Sequence, residues 1–274
     1  MRLILLTTLT MVAFAANSIL NRLALADGAM GPAGFAAVRL VAGAVTLVTL
    51  SLIARGRFSI RGPRRGPATL SLALYVLGFS FAYVSLPAGV GALVLFGAVQ
   101  VTMFAGAVAL RERVPAGRWL GAALAFGGLL WLLWPGGGTA PPLTGSLLMA
   151  AAGLGWGLYS LLGRASGDAL SSTAANFLLA APLGLVVFVA LPDRVTGYGL
   201  ALAVMSGGIT SGLGYALWYQ ILPRLGASRA AVAQLSVPVI AMAGGMAFLG
   251  EGLSLRFVIA SLLVLGGVGL SMRR

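Results

Sequence analysis

The chain has no cysteine, no histidine and no lysine; its 18 basic residues are all arginine. Its five acids are Asp27, Glu112, Asp168, Asp193 and Glu251. Without cysteine there is no disulfide and no thiolate metal site. Without histidine, cysteine, lysine or paired aspartates, the common intramembrane protease constellations cannot be assembled. An enzyme is therefore not expected, and neither is a cofactor or a metal. Charged residues make up 8% of the 274 residues, against about 25% in a soluble domain. So little charge cannot cover a soluble surface. With 59% hydrophobic residues and a mean hydropathy of +1.02, lipid is the expected solvent. The net charge of +13 raises nucleic acid as a partner. That partner is not expected, because the arginines sit in short loops between apolar runs rather than on a polar domain.

What is present is a series of apolar runs, expected as helices because backbone in hydrocarbon must satisfy its own hydrogen bonds. Spans are placed at 3–24, 32–54, 68–87, 88–110, 119–134, 144–163, 172–191, 199–221, 228–249 and 254–271. The first run carries Asn17, Asn21 and Arg22 and lacks a convincing cleavage site, so it is read as a span, not a signal peptide. The breaks are clusters of Pro, Gly and Arg. The third and fourth spans touch at Leu86–Pro87–Ala88, which leaves nine as the nearest rival count. With ten spans and the N-terminus inside, fourteen arginines fall on the cytoplasmic side. Arg22, Arg194 and Arg256 fall outside, and Arg39 lies within the second span. That asymmetry predicts a bacterial inner-membrane protein with both termini cytoplasmic.

The chain also repeats itself. Ala13–Arg22 resembles Gly155–Arg164. Tyr83-Val-Ser-Leu-Pro87 resembles Tyr219-Gln-Ile-Leu-Pro223. Glu112 follows the fourth span as Glu251 follows the ninth, and Gly127-Gly128 matches Gly266-Gly267. The matches occur in the same order. Residues 1–134 are read as a first five-helix repeat, 135–143 as a linker and 144–274 as a second repeat. Five is odd, so the second repeat enters from the opposite face. The expected fold class is an all-α membrane protein of ten helices in two inverted-topology repeats, an arrangement common among secondary transporters. Forty glycines are about twice the usual share and are read mainly as close-packing positions between helices.

On these residues the chain resembles the EamA family of the drug/metabolite transporter superfamily. The resemblance is carried by Asn17–Arg22, Arg39, Leu110-Arg-Glu-Arg113, Ser236-Val-Pro238 and Leu249-Gly-Glu-Gly252. Within that family it looks most like YddG-type exporters of aromatic and other amino acids. The family pattern often has a proline in the fourth span where Pro238 stands in the ninth. Here Val99 takes that place, so the halves are expected to bend unequally.

Polar groups at mid-membrane depth are functional candidates. In the first span these are Asn17 and Ser18. The third contributes Tyr75, Phe79 and Tyr83, and the fourth Gln100. The sixth offers Trp156, Tyr159 and Ser160. The eighth has Tyr215, Trp218 and Tyr219, and the ninth Gln234 and Ser236. Steps of three and four residues put Tyr75, Phe79 and Tyr83 on one helix face and Tyr215, Trp218 and Tyr219 on another. Arg39, Pro238, Glu112 and Glu251 are read as structural or gating positions. Arg39, about 10 Å below its helix end, is expected to snorkel or to pair with Asp27 or Glu251; a substrate carboxylate is the other partner open to it. No acid lies at mid-depth, which favours neutral or zwitterionic cargo. Its ammonium would rest on Trp or Tyr faces, worth about 2 kcal/mol when desolvated. Its carboxylate would meet Asn17, Gln100 or helix N-termini. The function expected is export of amino acids or related metabolites by alternating access. Nucleotide sugars or lipid-linked groups are the alternative cargo, though anionic cargo should need more inward arginines than Arg39 alone. The expected partners are a small-molecule substrate and the lipid bilayer; the oligomeric state is not read from the sequence.

Overall fold

A computed structural model describes residues 1–56, 58–111, 115–134, 140–163 and 168–271, with backbone alone for 223, 226–232 and 271. The described residues are helical almost throughout. The helices are α1 (Arg2–Ala26), α2 (Pro32–Arg55), α3 (Arg65–Ala82), α4 (Ala88–Ala109), α5 (Ala116–Leu133), α6 (Leu143–Gly163) and α7 (Ala169–Ala190). They continue with α8 (Gly197–Val204), a π-helical segment (Met205–Leu213), α9 (Gly214–Gln234), α10 (Ser236–Leu249) and α11 (Leu255–Ser271). Helix α8, the π segment and the start of α9 form one rod, so the described residues make ten helical spans. Among the described residues seven helical segments, the α8–α9 rod counted as one, are long and apolar enough to cross a membrane.

The ends follow local chemistry. Pro32 opens α2, where its missing N–H costs nothing, and Gly56 closes it at φ 63°, a left-handed turn that glycine adopts without strain. Pro87 opens α4 and separates it from α3, which stops at Ala82, five residues short of the end expected for the third span. The expected break between the eighth and ninth spans is not a loop. Helix α9 runs on through Pro223, and the chain interrupts at Leu235 instead. Pro238 therefore sits in the first turn of α10, where a proline is tolerated. Its counterpart α4 runs unbroken past Val99.

Helix pairs pack mostly across the two halves of the chain: α2 on α7, α3 and α4 on α6, α5 on α11, and α1 on the α8–α9 rod and on α10. Small residues set these approaches. A Cβ on Gly155 would stand 2.7 Å from Ser71 O and 2.8 Å from Tyr75 N, so α6 can lie on α3 only because that side chain is missing.

Both ends of the bundle are tied across the halves. At one end the Glu251 carboxylate accepts from Ala88 N at 2.8 and 3.0 Å, at the N-terminus of α4, where negative charge is favoured. It also meets Arg22 Nε at 3.3 Å. Arg22 Nη1 donates to Tyr83 O and Val84 O at 3.0 and 2.9 Å. Asp193 accepts from Ala33 N and Gly34 N at 2.8 and 3.1 Å, capping α2 from the α7–α8 loop. Met30 and Val195 form a β-bridge beside it. At the other end Arg65 Nη1 donates to Ser172 O and Asn176 Oδ1 at 2.8 and 2.9 Å. Arg55 stands 3.6 Å from Asp168. The linker residues 135–139 and Glu112 lie outside the described residues.

Candidate functional site

Between these tied ends, five spans converge on a small cavity lined by Phe14, Asn17 and Ser18 of α1, Tyr75 and Phe79 of α3, Leu95 and Phe96 of α4, Trp156 of α6 and Tyr215 of α9. The volume open to the centres of water-sized molecules is about 20 Å³, room for roughly one water. The walls are aromatic. Tyr75 and Trp156 lie 4.9 Å apart between ring centroids, and Trp156 and Tyr215 5.1 Å. Phe79 meets Tyr75 edge-on at 5.5 Å and Phe14 meets Tyr215 at 5.7 Å. The four-residue step from Tyr75 to Phe79 puts both rings on one face of α3.

One side of the cavity is backed by a polar network. Asn17 Oδ1 accepts from Ser206 Oγ and from Thr210 Oγ1 at 3.1 Å. Asn21 Nδ2 donates to Asn17 O at 2.8 Å and to Ser206 Oγ at 3.3 Å. Ser80 donates to Asn21 Oδ1 at 3.3 Å. All five side chains are buried, and their mutual hydrogen bonds are what make that burial affordable. Ser206 and Thr210 lie in the π-helical segment, a form that recurs at functional sites within helices.

Arg39 is fully buried. It neither snorkels nor meets an acid among the described residues. Its Nε donates to Ser211 Oγ at 3.1 Å and its Nη2 to Tyr75 Oη at 2.8 Å. The guanidinium carbon stands 5.1 Å from the Tyr75 ring centroid and 4.9 Å from that of Phe79, within cation–π range. Among the described residues Nη1 has no hydrogen-bond partner. A buried ion without a counter-charge costs several kcal/mol even after relaxation, so this arrangement is expensive for stability alone.

The second half of the chain, residues 143–273, matches the model of the EamA-like transporter family. An uncharacterized protein of Pseudomonas aeruginosa is 50% identical over 272 residues, covering 98% of this chain and 94% of that one. The chain belongs to the EamA-like transporter family. An uncharacterized transporter of Archaeoglobus fulgidus is 26% identical, covering 74% of each chain. The uncharacterized transporter YoaV of Bacillus subtilis is 23% identical, covering 86% of each. A protein crystal structure superposes with a TM-score of 0.69 over 98% of this chain and 96% of that one, at 19% identity; it supports the fold. An EamA-like transporter is a multi-pass membrane protein that carries a small molecule through lipid.

In this EamA-like chain the other candidates from the sequence fall elsewhere. Tyr83 is buried, but its hydroxyl donates to Ala88 O at 3.1 Å across the α3–α4 turn. Tyr159 donates to Thr173 at 3.3 Å and accepts from Asn176 at 3.3 Å, which links it to the Arg65 contact. Tyr219 lies within reach of Tyr159 and Thr173. Ser160 bonds back to its own helix at Trp156 O, and Ser236, the first residue of α10, donates to Ala233 O at the end of α9. Trp218 packs edge-on against Phe14 at 5.8 Å, behind the cavity wall. Gln100 and Gln234 are half-buried and line no part of the cavity. Glu251 and Pro238 lie at the ends of α10. The sequence reading missed Phe14, Leu95, Phe96, Asn21, Ser80, Ser206, Thr210 and Ser211. Asn21 sits one helical turn after Asn17, and Thr210 one step of four after Ser206; those spacings were the available signal.

Proposed function

We propose that this protein exports amino acids, aromatic and other neutral ones, or closely related small metabolites across the bacterial inner membrane by alternating access. The carrying observation is the aromatic cavity between the ends of the bundle, walled by α1, α3 and α4 from residues 1–134 and by α6 and α9 from residues 144–274. Both termini are cytoplasmic in this reading, so the Glu251 end faces outward and the Arg65 end inward. Cross-half hydrogen bonds at either end act as gates that part in turn. Cargo passes unmodified, and no cofactor takes part.

The proposed frame is two inverted five-helix repeats, 1–134 and 144–274, joined by 135–143. Two observations support it. Exchanging the halves maps the packing onto itself: α3 on α6 becomes the α8–α9 rod on α1, α4 on α6 becomes α10 on α1, and α2–α7 and α5–α11 map onto themselves. The family match, residues 143–273, is also nearly coextensive with the second repeat. Cargo carrying several negative charges, such as nucleotide sugars or lipid-linked phosphate groups, is disfavoured because Arg39 is a single buried cation.

The test is uptake of labelled neutral amino acids into proteoliposomes. Saturable flux, strongest for phenylalanine, tyrosine or tryptophan, is expected. Absence of saturable flux for every neutral amino acid, with folded protein in the vesicles, removes the cargo assignment.

A further inference from the structure

We propose that Tyr75, backed by Arg39, is the carboxylate anchor of the cavity, so that the cargo is an aromatic or otherwise apolar monocarboxylate whose amino group is dispensable. This rests on the cavity being the cargo site and goes on to name which part of the cargo it recognises.

The Tyr75 hydroxyl oxygen accepts from Arg39 Nη2 at 2.8 Å and from Tyr215 Oη at 3.2 Å. The two phenols hold two protons and share one hydrogen bond, so one phenolic proton of the pair is left to donate, and both rings line the cavity. No acceptor for that proton is found among the described residues. Tyr75 lines the cavity, and a phenol that accepts from a guanidinium is a polarised, strengthened donor. Behind it stands a fully buried positive charge that also interacts with Tyr215 and whose Nη1 has no hydrogen-bond partner among the described residues. Among the described residues no carboxylate lines the cavity; Asp27, Asp168, Asp193 and Glu251 lie at helix ends or in loops. The site thus holds one positive charge and lacks the matching negative one, which an incoming carboxylate supplies. The rings of Phe14, Phe79, Trp156 and Tyr215 meet the apolar remainder. An ammonium finds ring faces here but no anion.

A single arginine balances a single carboxylate. Dianionic cargo would leave one charge bare, and a cationic amine would add repulsion to Arg39. The site therefore sorts ligands by their acid group and tolerates its neighbours.

Calorimetric titration of the purified full-length protein in lipid nanodiscs tests this with three ligands that share one ring: phenylalanine, 3-phenylpropionate and phenethylamine. The two carboxylates are expected to bind. Phenethylamine, which lacks the acid, is expected to bind about 10- to 100-fold more weakly, the range for losing a charged hydrogen bond. Arg39→Met should abolish the preference for acids, Arg39→Lys should keep part of it, and Tyr75→Phe should weaken both acids while leaving the ring contacts in place. The wild-type ligand series needs no variant to fold. Phenethylamine binding as tightly as phenylalanine, no binding by any of the three, or unchanged carboxylate affinity in folded Arg39→Met would each overturn the anchor. Transport and anchor fail separately: the expected binding order without flux would remove the transport reading alone. Saturable phenylalanine flux inhibited equally by phenethylamine would remove the anchor alone.

Discussion

Arg22 and Arg39 lie seventeen positions apart in sequence and are held in opposite ways. Arg22, at the end of α1, meets the Glu251 carboxylate and two backbone carbonyls. Its charge is balanced and its donors are used to join three chain segments. Arg39, in the middle of α2, meets two hydroxyls and two rings, and one of its nitrogens has no hydrogen-bond partner among the described residues. The first arginine fastens the bundle. The second has no counter-charge among the described residues, as a cargo-binding group would. Truncating a fastened charge should damage stability, whereas neutralising an unmatched one should change it little.

The largest effect should come from Glu251→Ala. It leaves Arg22 and the α4 N-terminus without their anion and should cost about 2–3 kcal/mol, since hydrogen bonds to charged groups carry such values. Thermal and denaturant unfolding in detergent would read it. Glu251 also brings a pH signature. Burial pushes its carboxyl above the ordinary range and outweighs the downward pull of Ala88 N–H and Arg22. A raised carboxyl pKa contributes stability that is complete below the ordinary value and declines as pH rises through the raised one. The gap in Tm between wild type and Glu251→Ala should therefore be widest at acidic pH and narrow toward neutrality. A gap that widens with pH would mean that Arg22 outweighs burial.

Next in size is Gly155→Ala. Its methyl would press on Ser71 O and Tyr75 N, and overpacking of this kind costs about 1–3 kcal/mol. It should also lower ligand affinity by moving Tyr75. Asp193→Ala removes the cap on α2 and should cost about 1 kcal/mol, seen as a small drop in Tm with ligand binding retained. The smallest effect on stability is expected from Arg39→Met. Arg39→Met removes the desolvation cost of an uncompensated charge but also its bonds to Ser211 and Tyr75, so Tm should change little while the preference for carboxylates disappears. If Arg39→Met unfolds the protein as readily as Glu251→Ala does, the contrast between the two arginines is gone.

The spans were legible because hydrocarbon admits few alternatives: apolar runs bounded by Pro, Gly and Arg gave most helix limits to within a few residues. The eighth-to-ninth connection was not legible. Pro223 marks a break in one dimension, yet the helix carries past it to Gln234. In the site, Tyr75, Phe79, Trp156 and Tyr215 stood out as aromatics at depth. Gln100 had the right depth and the wrong azimuth, which hydropathy does not encode. Ser206, Thr210 and Ser211 were hidden in a glycine- and serine-rich stretch whose π-helical winding departs from α-helical periodicity. Arg39 is enclosed by hydroxyls and ring faces rather than by a carboxylate, partners that charge pairing in the sequence does not point to.

The central claim is that the Tyr75 cavity opens to each side of the membrane in turn. Because the chain has no cysteine of its own, Ser18→Cys would place a lone thiol on the cavity wall. Membrane-impermeant maleimide applied from each side in separate oriented preparations is predicted to label it from both, more slowly in the presence of phenylalanine. Labelling from one side only, at a rate that phenylalanine leaves unchanged, would contradict the account.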